Sequence, residues 1–121
     1  MDSGAVNEDI RACNPYRRGV RFEYKTRNYL RKKGWYVVRQ PRSKFPDLIA
    51  IRDGVILLVE CKLHGYIAPA ERRKIIRLAR SQVGGEPLLA FRKDGQIILR
   101  LLSRSAKHDL LFDYSHIGGT C

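Results

Sequence analysis

The sequence predicts a small α/β domain in which a mixed β-sheet of about five strands is flanked by helices. One segment with helical periodicity comes first, three strand-like segments follow, and a second helical segment precedes two further strands. Two Asp-Gly dipeptides, each between strand-like segments, indicate tight hairpins. A chain of 121 residues has the size of one domain and is too short for two well-cored domains.

Each predicted element has its own local signal. Phe22, Thr26 and Leu30 recur at helical spacing before Gly34, which marks the end of a helix. Pro69 suits the first turn of a second helix, and the strands are rich in β-branched and aromatic residues. The predicted elements are a helix over 19–33, strands over 35–40, 48–52 and 55–63, a helix over 69–82, and strands over 87–92 and 96–102.

Both ends of the chain lie outside this pattern. Residues 1–16 show no sustained periodicity, and we expect them to form a loose N-terminal arm. The C-terminal tail, residues 103–121, carries a weak helical signal over 110–114. We therefore predict a single domain over residues 1–121, with an arm and a tail.

The charge of the chain indicates a polyanionic partner. Its 24 Lys and Arg against 12 Asp and Glu give a net charge of +12, which costs self-repulsion unless a polyanion is bound. Nucleic acid is the first candidate, and the alternative is a protein that is merely basic and soluble. We expect no membrane association, because no apolar run approaches the roughly 20 residues of a membrane span.

Cysteine usage favours a reducing, intracellular location such as the cytoplasm. The three cysteines, Cys13, Cys61 and Cys121, are widely spaced and form no CxxC pair, so we predict free thiols and no zinc site. The N-terminus lacks the apolar core of a signal peptide.

The first hairpin brings candidate chemistry together. If Asp53-Gly54 is a two-residue turn, Arg52 faces Val55 and the same register places Asp47 directly opposite Glu60. Their Cβ atoms would then be roughly 5 Å apart on one face of the sheet. Lys62 lies two residues beyond Glu60 and shares that face.

Two facing carboxylates repel each other, and a divalent cation is the usual means of offsetting that cost. Mg²⁺ prefers oxygen ligands, polarises a phosphoryl oxygen and lowers the pKa of bound water. Lys62 can orient that water and offset charge on the phosphate, so the group suits phosphodiester hydrolysis. The alternative is a surface network in which Glu60 and Lys62 pair across strands and Asp47 caps a loop.

At this point the sequence resembles a known superfamily. Pro46-Asp47 followed by Glu60-Cys61-Lys62 resembles the PD-(D/E)xK nuclease motif, and residues 19–102 are similar to archaeal-type Holliday junction resolvases. The resemblance implies a restriction-endonuclease-like fold and a structure-selective endodeoxyribonuclease that resolves four-way junctions. It also implies a Mg²⁺ cofactor, with Mn²⁺ as a substitute, and a homodimer bound to branched double-stranded DNA.

The same resemblance implies further site residues. Glu23 matches the helix glutamate of those resolvases and would join Asp47 and Glu60 at the metal, together with the backbone carbonyl of Cys61. Ser43 matches their loop serine and would act in catalysis near the scissile phosphate. From the residues alone, Glu23 lies on the border of the packed face of its helix and could bend toward the sheet, and the alternative is a solvated glutamate that pairs with Arg27. The alternative for Ser43 is an ordinary loop serine.

Basic residues around the site suit contacts with DNA phosphates, which position a duplex without reading its sequence. The predicted set is Arg17, Arg18, Arg21, Arg39, Arg42 and Lys44. On the second helix, about half of the basic residues fit an ordinary solvated face. The apolar strand over 96–102 needs cover on both faces, from a dimer partner or from the monomer itself.

Two rival functions remain open from sequence alone. A restriction-like or repair nuclease on the same fold would share Asp47, Glu60 and Lys62 but follow base sequence instead of branch geometry. A non-catalytic DNA-binding protein would show steep salt dependence without Mg²⁺-dependent cutting. The intact acidic set argues against the second rival, because carboxylates repel phosphates.

Overall fold

The computed structural model describes residues 15–41 and 44–112 of the chain. They form two helices and a six-stranded sheet with the strand order β1-β2-β3-β4-β5-β6. The elements are α1 (Pro15–Lys32), β1 (Tyr36–Arg39), β2 (Leu48–Arg52), β3 (Val55–Cys61), α2 (Pro69–Arg77) with a π-helical continuation (Leu78–Val83), β4 (Glu86–Lys93), β5 (Gln96–Leu101), a 3₁₀ turn (Ala106–His108) and β6 (Leu110–Leu111).

The sheet is mixed because β3 and β4 are parallel while the other neighbouring pairs are antiparallel. A parallel connection needs a crossover, and α2 with its continuation provides it. The predicted α/β fold with a mixed sheet is thus confirmed, with one strand more than expected.

Both Asp-Gly dipeptides form the predicted tight turns. Asp53 and Gly54 have φ values of 50° and 80°, and Asp94 and Gly95 have φ values of 52° and 76°. Positive φ at both central residues is the type I′ geometry that matches the twist of a hairpin. The β2–β3 register therefore begins with Arg52 opposite Val55, as the sequence predicts.

The sheet carries a core on each face. On one face Phe22 and Leu30 of α1 pack against strand residues such as Leu57. On the other face Ile75 of α2 and Ala79 pack against residues of β3 and β4. Successive side chains of a strand point to opposite faces, and the continuous burial of the middle of β3 and β4 shows that both faces of these central strands are covered.

The element ends differ from the predictions at both termini. Helix α1 begins at Pro15, four residues before the predicted start, and proline is well tolerated in a first turn; the rest of the predicted arm lies outside the described residues. The helical signal over 110–114 is wrong at Leu110–Leu111, which pair with Arg100 and Leu101 as β6.

Strand β5 lies between β4 and β6, and its Leu99 is buried. Its other apolar residues Ile97, Ile98 and Leu101 are half-buried, so the cover of this strand within one protomer is partial. In the part of the chain that is described, neither helix has the length and apolarity to span a bilayer. Cys61 is a free thiol, whereas Cys13 and Cys121 lie outside the described residues.

Candidate active site

The two facing acids lie at the end of the first hairpin. The β2–β3 register reaches Leu48 opposite Val59, so the next pair along the strands is Asp47 and Glu60. The Asp47 backbone N–H donates to Glu60 Oε1 at 3.0 Å, and the Cys61 N–H donates to Asp47 Oδ2 at 2.9 Å. These reciprocal bonds fix both carboxylates side by side, as the hairpin register predicts.

The acid pair carries more negative charge than its surroundings neutralise. Glu60 is only 4% exposed, and burial followed by the charge of Asp47 raises its pKa to about 8. Burial also raises the pKa of Asp47 above its ordinary value, despite the Cys61 N–H bond. The pair therefore retains a proton at neutral pH. A cation bound between the two carboxylates would neutralise the same charge.

Glu23 of α1 lies within electrostatic reach of this pair. Burial, and then the charge of Asp47, raises the pKa of Glu23, while the Arg39 guanidinium opposes the shift. Arg39 Nε lies 2.9 Å from Glu23 Oε1, and the guanidinium carbon Cζ of Arg39 lies 4.6 Å from the Tyr24 ring centroid. The solvated Glu23–Arg27 pair is not what the structure shows, because Arg27 bonds Asn28 instead.

Lys62 follows β3 and points its ammonium group at α2. Its Nζ lies 3.1 Å from Glu71 Oε2. Burial alone would lower the pKa of Lys62, but the hydrogen bond and charge of Glu71, followed by the charges of Glu60 and Asp47, outweigh it and raise the pKa. Lys62 therefore stays protonated beside the acid pair.

Glu71 is a site residue that the sequence reasoning missed. Its Oε1 accepts the Ala68 N–H at 3.4 Å in the first turn of α2, while Oε2 meets Lys62. Its position three residues after the N-cap is a visible capping signal. The contact with Lys62 depends on how α2 packs on the sheet, which no local pattern reveals.

The donor set suits a hard cation but is not a complete cage. Within residues 15–41 and 44–112, no group of three or more His, Cys, Asp or Glu side chains is arranged to hold a metal ion. Asp47 and Glu60 nevertheless offer adjacent carboxylates whose negative charge the surrounding residues do not fully neutralise. Mg²⁺ is commonly bound by one or two carboxylates while it keeps several waters, so the pair fits that ion.

The other predicted site residues that the structure describes lie on α1, on β1 and in the segment before β2. Arg17 and Arg18 are exposed in the first turn of α1, Arg21 is partly exposed one turn on, and Lys44 is exposed before β2. Arg42 and Ser43 lie outside the described residues. Arg39, predicted to contact phosphate, instead lies largely inside the site against Glu23.

Fold and site together define a nuclease-like α/β domain with an acid pair and a lysine at a hairpin end. A sequence model of the archaeal Holliday junction resolvase (Hjc) family matches residues 14–112. Because this match covers most of the chain, the protein belongs to that family. The family prediction made from Pro46-Asp47 and Glu60-Cys61-Lys62 is thus confirmed.

Individual relatives agree with this assignment. The chain is 36% identical over 100 residues to the crossover junction endodeoxyribonuclease Hjc of Methanocaldococcus jannaschii, a match that covers 77% of this chain and 74% of the relative. The 1.6 Å structure of Archaeoglobus fulgidus Hjc, a Holliday junction resolvase from an archaeal hyperthermophile, superposes with a TM-score of 0.60 at 22% identity. That match covers 81% of this chain and 85% of the solved one, and it supports the fold.

Proposed function

We propose that this protein is a structure-selective endonuclease that resolves four-way DNA junctions by Mg²⁺-dependent phosphodiester hydrolysis, with Mn²⁺ as a substitute ion. The observation that carries the proposal is the facing Asp47–Glu60 pair, held side by side by backbone N–H groups, whose raised pKa values mark negative charge that the surrounding residues do not fully neutralise. The M. jannaschii relative, which shares the family, is named a crossover junction endodeoxyribonuclease.

In this proposal Asp47 and Glu60 hold the metal ion, and Glu23 and the backbone carbonyl of Cys61 are the further ligands implied by the resemblance. A bound Mg²⁺ supplies Lewis acidity toward the phosphoryl oxygen and a water of lowered pKa. The protein's own part is geometric. Backbone N–H groups fix the two acids, and Arg39 restrains the Glu23 side chain.

Lys62 provides the positive charge on the substrate side of the acids. Its ammonium is partly buried and tethered by Glu71, so it loses little conformational freedom when a phosphate arrives. A preorganised cation aimed at developing negative charge is the kind of group that lowers a hydrolytic barrier. In the proposed mechanism Ser43 touches the scissile phosphate region, as the resemblance implies.

The net charge of +12 supports a polyanionic substrate. The exposed groups Arg17, Arg18 and Lys44 suit contacts with the sugar–phosphate backbone. Contacts of this kind recognise the course of the strands and not the bases, which favours selection by branch geometry. Arg21 and Arg42 belong to the same proposed set.

We also propose that the active form is a homodimer, because a four-way junction has two-fold symmetry and its resolution needs two matched cuts. A surface suited to a second copy is the β1–β2 part of the sheet face that α2 leaves uncovered. There Tyr36, Val38 and Ile51 are 69%, 41% and 40% exposed. We expect Ile51→Glu to shift the protein to monomers in sedimentation, and a monomeric wild type would contradict the dimer.

The function is tested by offering labelled four-way junction, linear duplex and single-stranded DNA, each with and without Mg²⁺. We expect paired symmetric nicks confined to the junction and dependent on the ion. Cutting of linear duplex at fixed base sequences would instead indicate a sequence-specific nuclease. Junction binding without cutting under any divalent ion would indicate a non-catalytic binding protein.

Asp47→Asn is the decisive variant, and Asp94→Asn is its matched control. Both remove one carboxylate charge, but Asp94 lies exposed in the second Asp-Gly turn, where asparagine tolerates the positive φ. We expect loss of cutting with retained junction binding only for Asp47→Asn. Equal rates in both variants would remove the metal site proposed here.

A further inference from the structure

A groove of about 1070 Å³ lies between α2 and the segment that follows β5. None of the proposed metal and catalytic residues Glu23, Asp47, Glu60 and Lys62 lines it. Of the described residues along its walls, six are arginines and none is acidic. The arginines are Arg72, Arg73, Arg77, Arg80, Arg100 and Arg104.

Three of the six arginines already have partners. Arg72 makes a two-pronged pair with Asp109, and Arg80 pairs with Glu86 at 2.9 Å. The Arg100 guanidinium lies 4.6 Å from the ring centroid of Phe91. These contacts fix part of the wall.

The other three arginines are exposed. For Arg73, Arg77 and Arg104 the structure shows no ion pair or hydrogen bond with any residue in 15–41 or 44–112. Arginine is more weakly hydrated than lysine and presents a planar fork that matches phosphate oxygens. Three such groups around an acid-free groove make a surface suited to an anion with several phosphates.

The arrangement of these groups favours an extended strand. Arg73 and Arg77 are one helical turn apart on the same face of α2, about 6 Å along its axis, which is close to the separation of neighbouring phosphates in one strand. Arg104 comes from the facing wall. The floor between the walls includes the apolar side chains of Ile76 and Leu102. Cationic walls over an apolar floor suit phosphates and sugars together.

We infer that this groove binds the sugar–phosphate backbone of a junction arm, at a place separate from the strand being cut. The inference rests on the proposed function, since it names a second contact of the same substrate. The groove adds affinity and directs an arm along α2, while the acid pair acts on a different phosphate.

The test measures junction affinity against salt concentration without a divalent ion, using fluorescence anisotropy of labelled four-way DNA. For Arg73→Gln with Arg77→Gln we expect the slope of log affinity against log salt to become shallower by about 1.8. The affinity lost between 50 and 200 mM salt then shrinks about twelve-fold relative to the wild type. Adding Arg104→Gln should raise the change of slope to about 2.7.

The matched control is Lys32→Gln with Lys33→Gln, which removes the same charge from exposed positions. These lysines lie beside the first Asp-Gly turn, as the Arg52 Nη1 bond to the Lys33 carbonyl shows, at the opposite end of β3 from Glu60. We expect the wild-type slope for this control. A wild-type slope in the groove variants, or equal slope changes in both pairs, would overturn the inference.

Wild-type cutting of the same junction with Mg²⁺ is measured in parallel, so the two proposals fail in different ways. Cutting together with unchanged slopes in the groove variants rejects the groove alone. A wild type that neither binds nor cuts the junction rejects the proposed function and the groove with it.

Discussion

Two acidic sites in this protein hold carboxylates that are shielded from solvent but have opposite electrostatics. Asp109, whose side chain is 3% exposed, accepts two hydrogen bonds from Arg72 at 2.7 and 2.9 Å and one from the Ser103 N–H at 2.8 Å. Burial raises its pKa, but Arg72 and Ser103 outweigh burial and the pKa is lowered. The pKa of Glu60, which lies deeper in the fold, rises to about 8.

The difference lies in the depth of burial and in the countercharge that the fold supplies. The Arg72–Asp109 pair is neutralised within the chain, and it ties α2 to the segment after β5. The Asp47–Glu60 pair receives backbone N–H groups, but its nearest cation, Lys62, is engaged by Glu71. The fold leaves part of the negative charge of this acid pair without a countercharge, so the pair can bind a cation. Such a perturbed pair of acids marks a functional site.

The largest expected effect follows from removing one member of the undercompensated pair. Asp47→Asn keeps an oxygen that can accept the Cys61 N–H but removes a charge that the metal ion needs. We expect cleavage to fall by about a thousand-fold, the scale of a lost electrostatic group in an active site. Single-turnover cleavage of a junction at saturating Mg²⁺ measures this.

The same substitution should raise the melting temperature of the metal-free protein, because it removes the Asp47 charge that disfavours ionisation of the buried Glu60. Thermal unfolding in EDTA, with Asp94→Asn as the control, checks the sign. A metal-free Asp47→Asn variant that melts well below the wild type would show that the Asp47–Glu60 pair stabilises the fold without a metal ion. The two acidic sites would then not differ in their effect on stability.

The second prediction concerns the compensated pair. Arg72→Met leaves the buried Asp109 carboxylate without its partner, and we expect a loss of about 3–5 kcal/mol in the free energy of unfolding. The matched control is Arg80→Met, since the side chains of the Arg80–Glu86 pair are 49% and 35% exposed. That variant should lose less than about 1 kcal/mol. Urea unfolding measures both, and equal losses would contradict the distinction.

The third prediction is a difference in pH dependence. Below pH 4.5 Glu60 is protonated in both the folded and unfolded chain; from there to about pH 8 only the unfolded chain is ionised, so unfolding releases a proton. The free energy of unfolding in EDTA should fall as pH rises through this window, by at most about 1.4 kcal/mol per pH unit for one proton. Glu60→Gln should flatten the curve.

Asp109 behaves in the opposite sense. Its lowered pKa contributes stability above its ordinary pKa of 3.8, and this contribution is lost as pH falls through the folded-state value.

Added Mg²⁺ should stabilise the protein more at pH 8 than at pH 5, because it competes with the proton on the Asp47–Glu60 pair. Equal stabilisation by Mg²⁺ at both pH values would mean that the ion binds elsewhere.

The acid pair was predictable because local chemistry fixes it. An Asp-Gly dipeptide requires a two-residue turn, the turn sets the register, and the register places Asp47 opposite Glu60. No packing of distant segments enters that argument. Strand β6 was missed because two residues have no periodicity, and its pairing with β5 alone makes it a strand.

The ion pairs around the site were not predictable in the same way. Arg39 with Glu23, Lys62 with Glu71 and Arg72 with Asp109 are separated by 16, 9 and 37 residues. Each pair forms only because a helix packs on the sheet at one particular angle and height. The sequence indicates which residues are charged, but packing decides which of them meet.

The smallest expected effect concerns Glu71, whose carboxylate contacts Lys62 beside the Asp47–Glu60 pair. Because its carboxylate holds the Lys62 ammonium at 3.1 Å and keeps it protonated, Glu71→Gln should lower the single-turnover rate by about ten-fold with little change in junction affinity. Glutamine can still accept the Ala68 N–H, so the start of α2 and the melting temperature should be preserved.

A double-mutant cycle separates positioning from a structural role. If Glu71 acts through Lys62, then Glu71→Gln should cause almost no further loss of rate in a Lys62→Ala background, since the group it positions is gone. A purely structural Glu71 would give the same fold loss in both backgrounds. A faster Glu71→Gln enzyme would mean that Glu71 withholds Lys62 from the phosphate, and that the charge at this site is compensated within the chain after all.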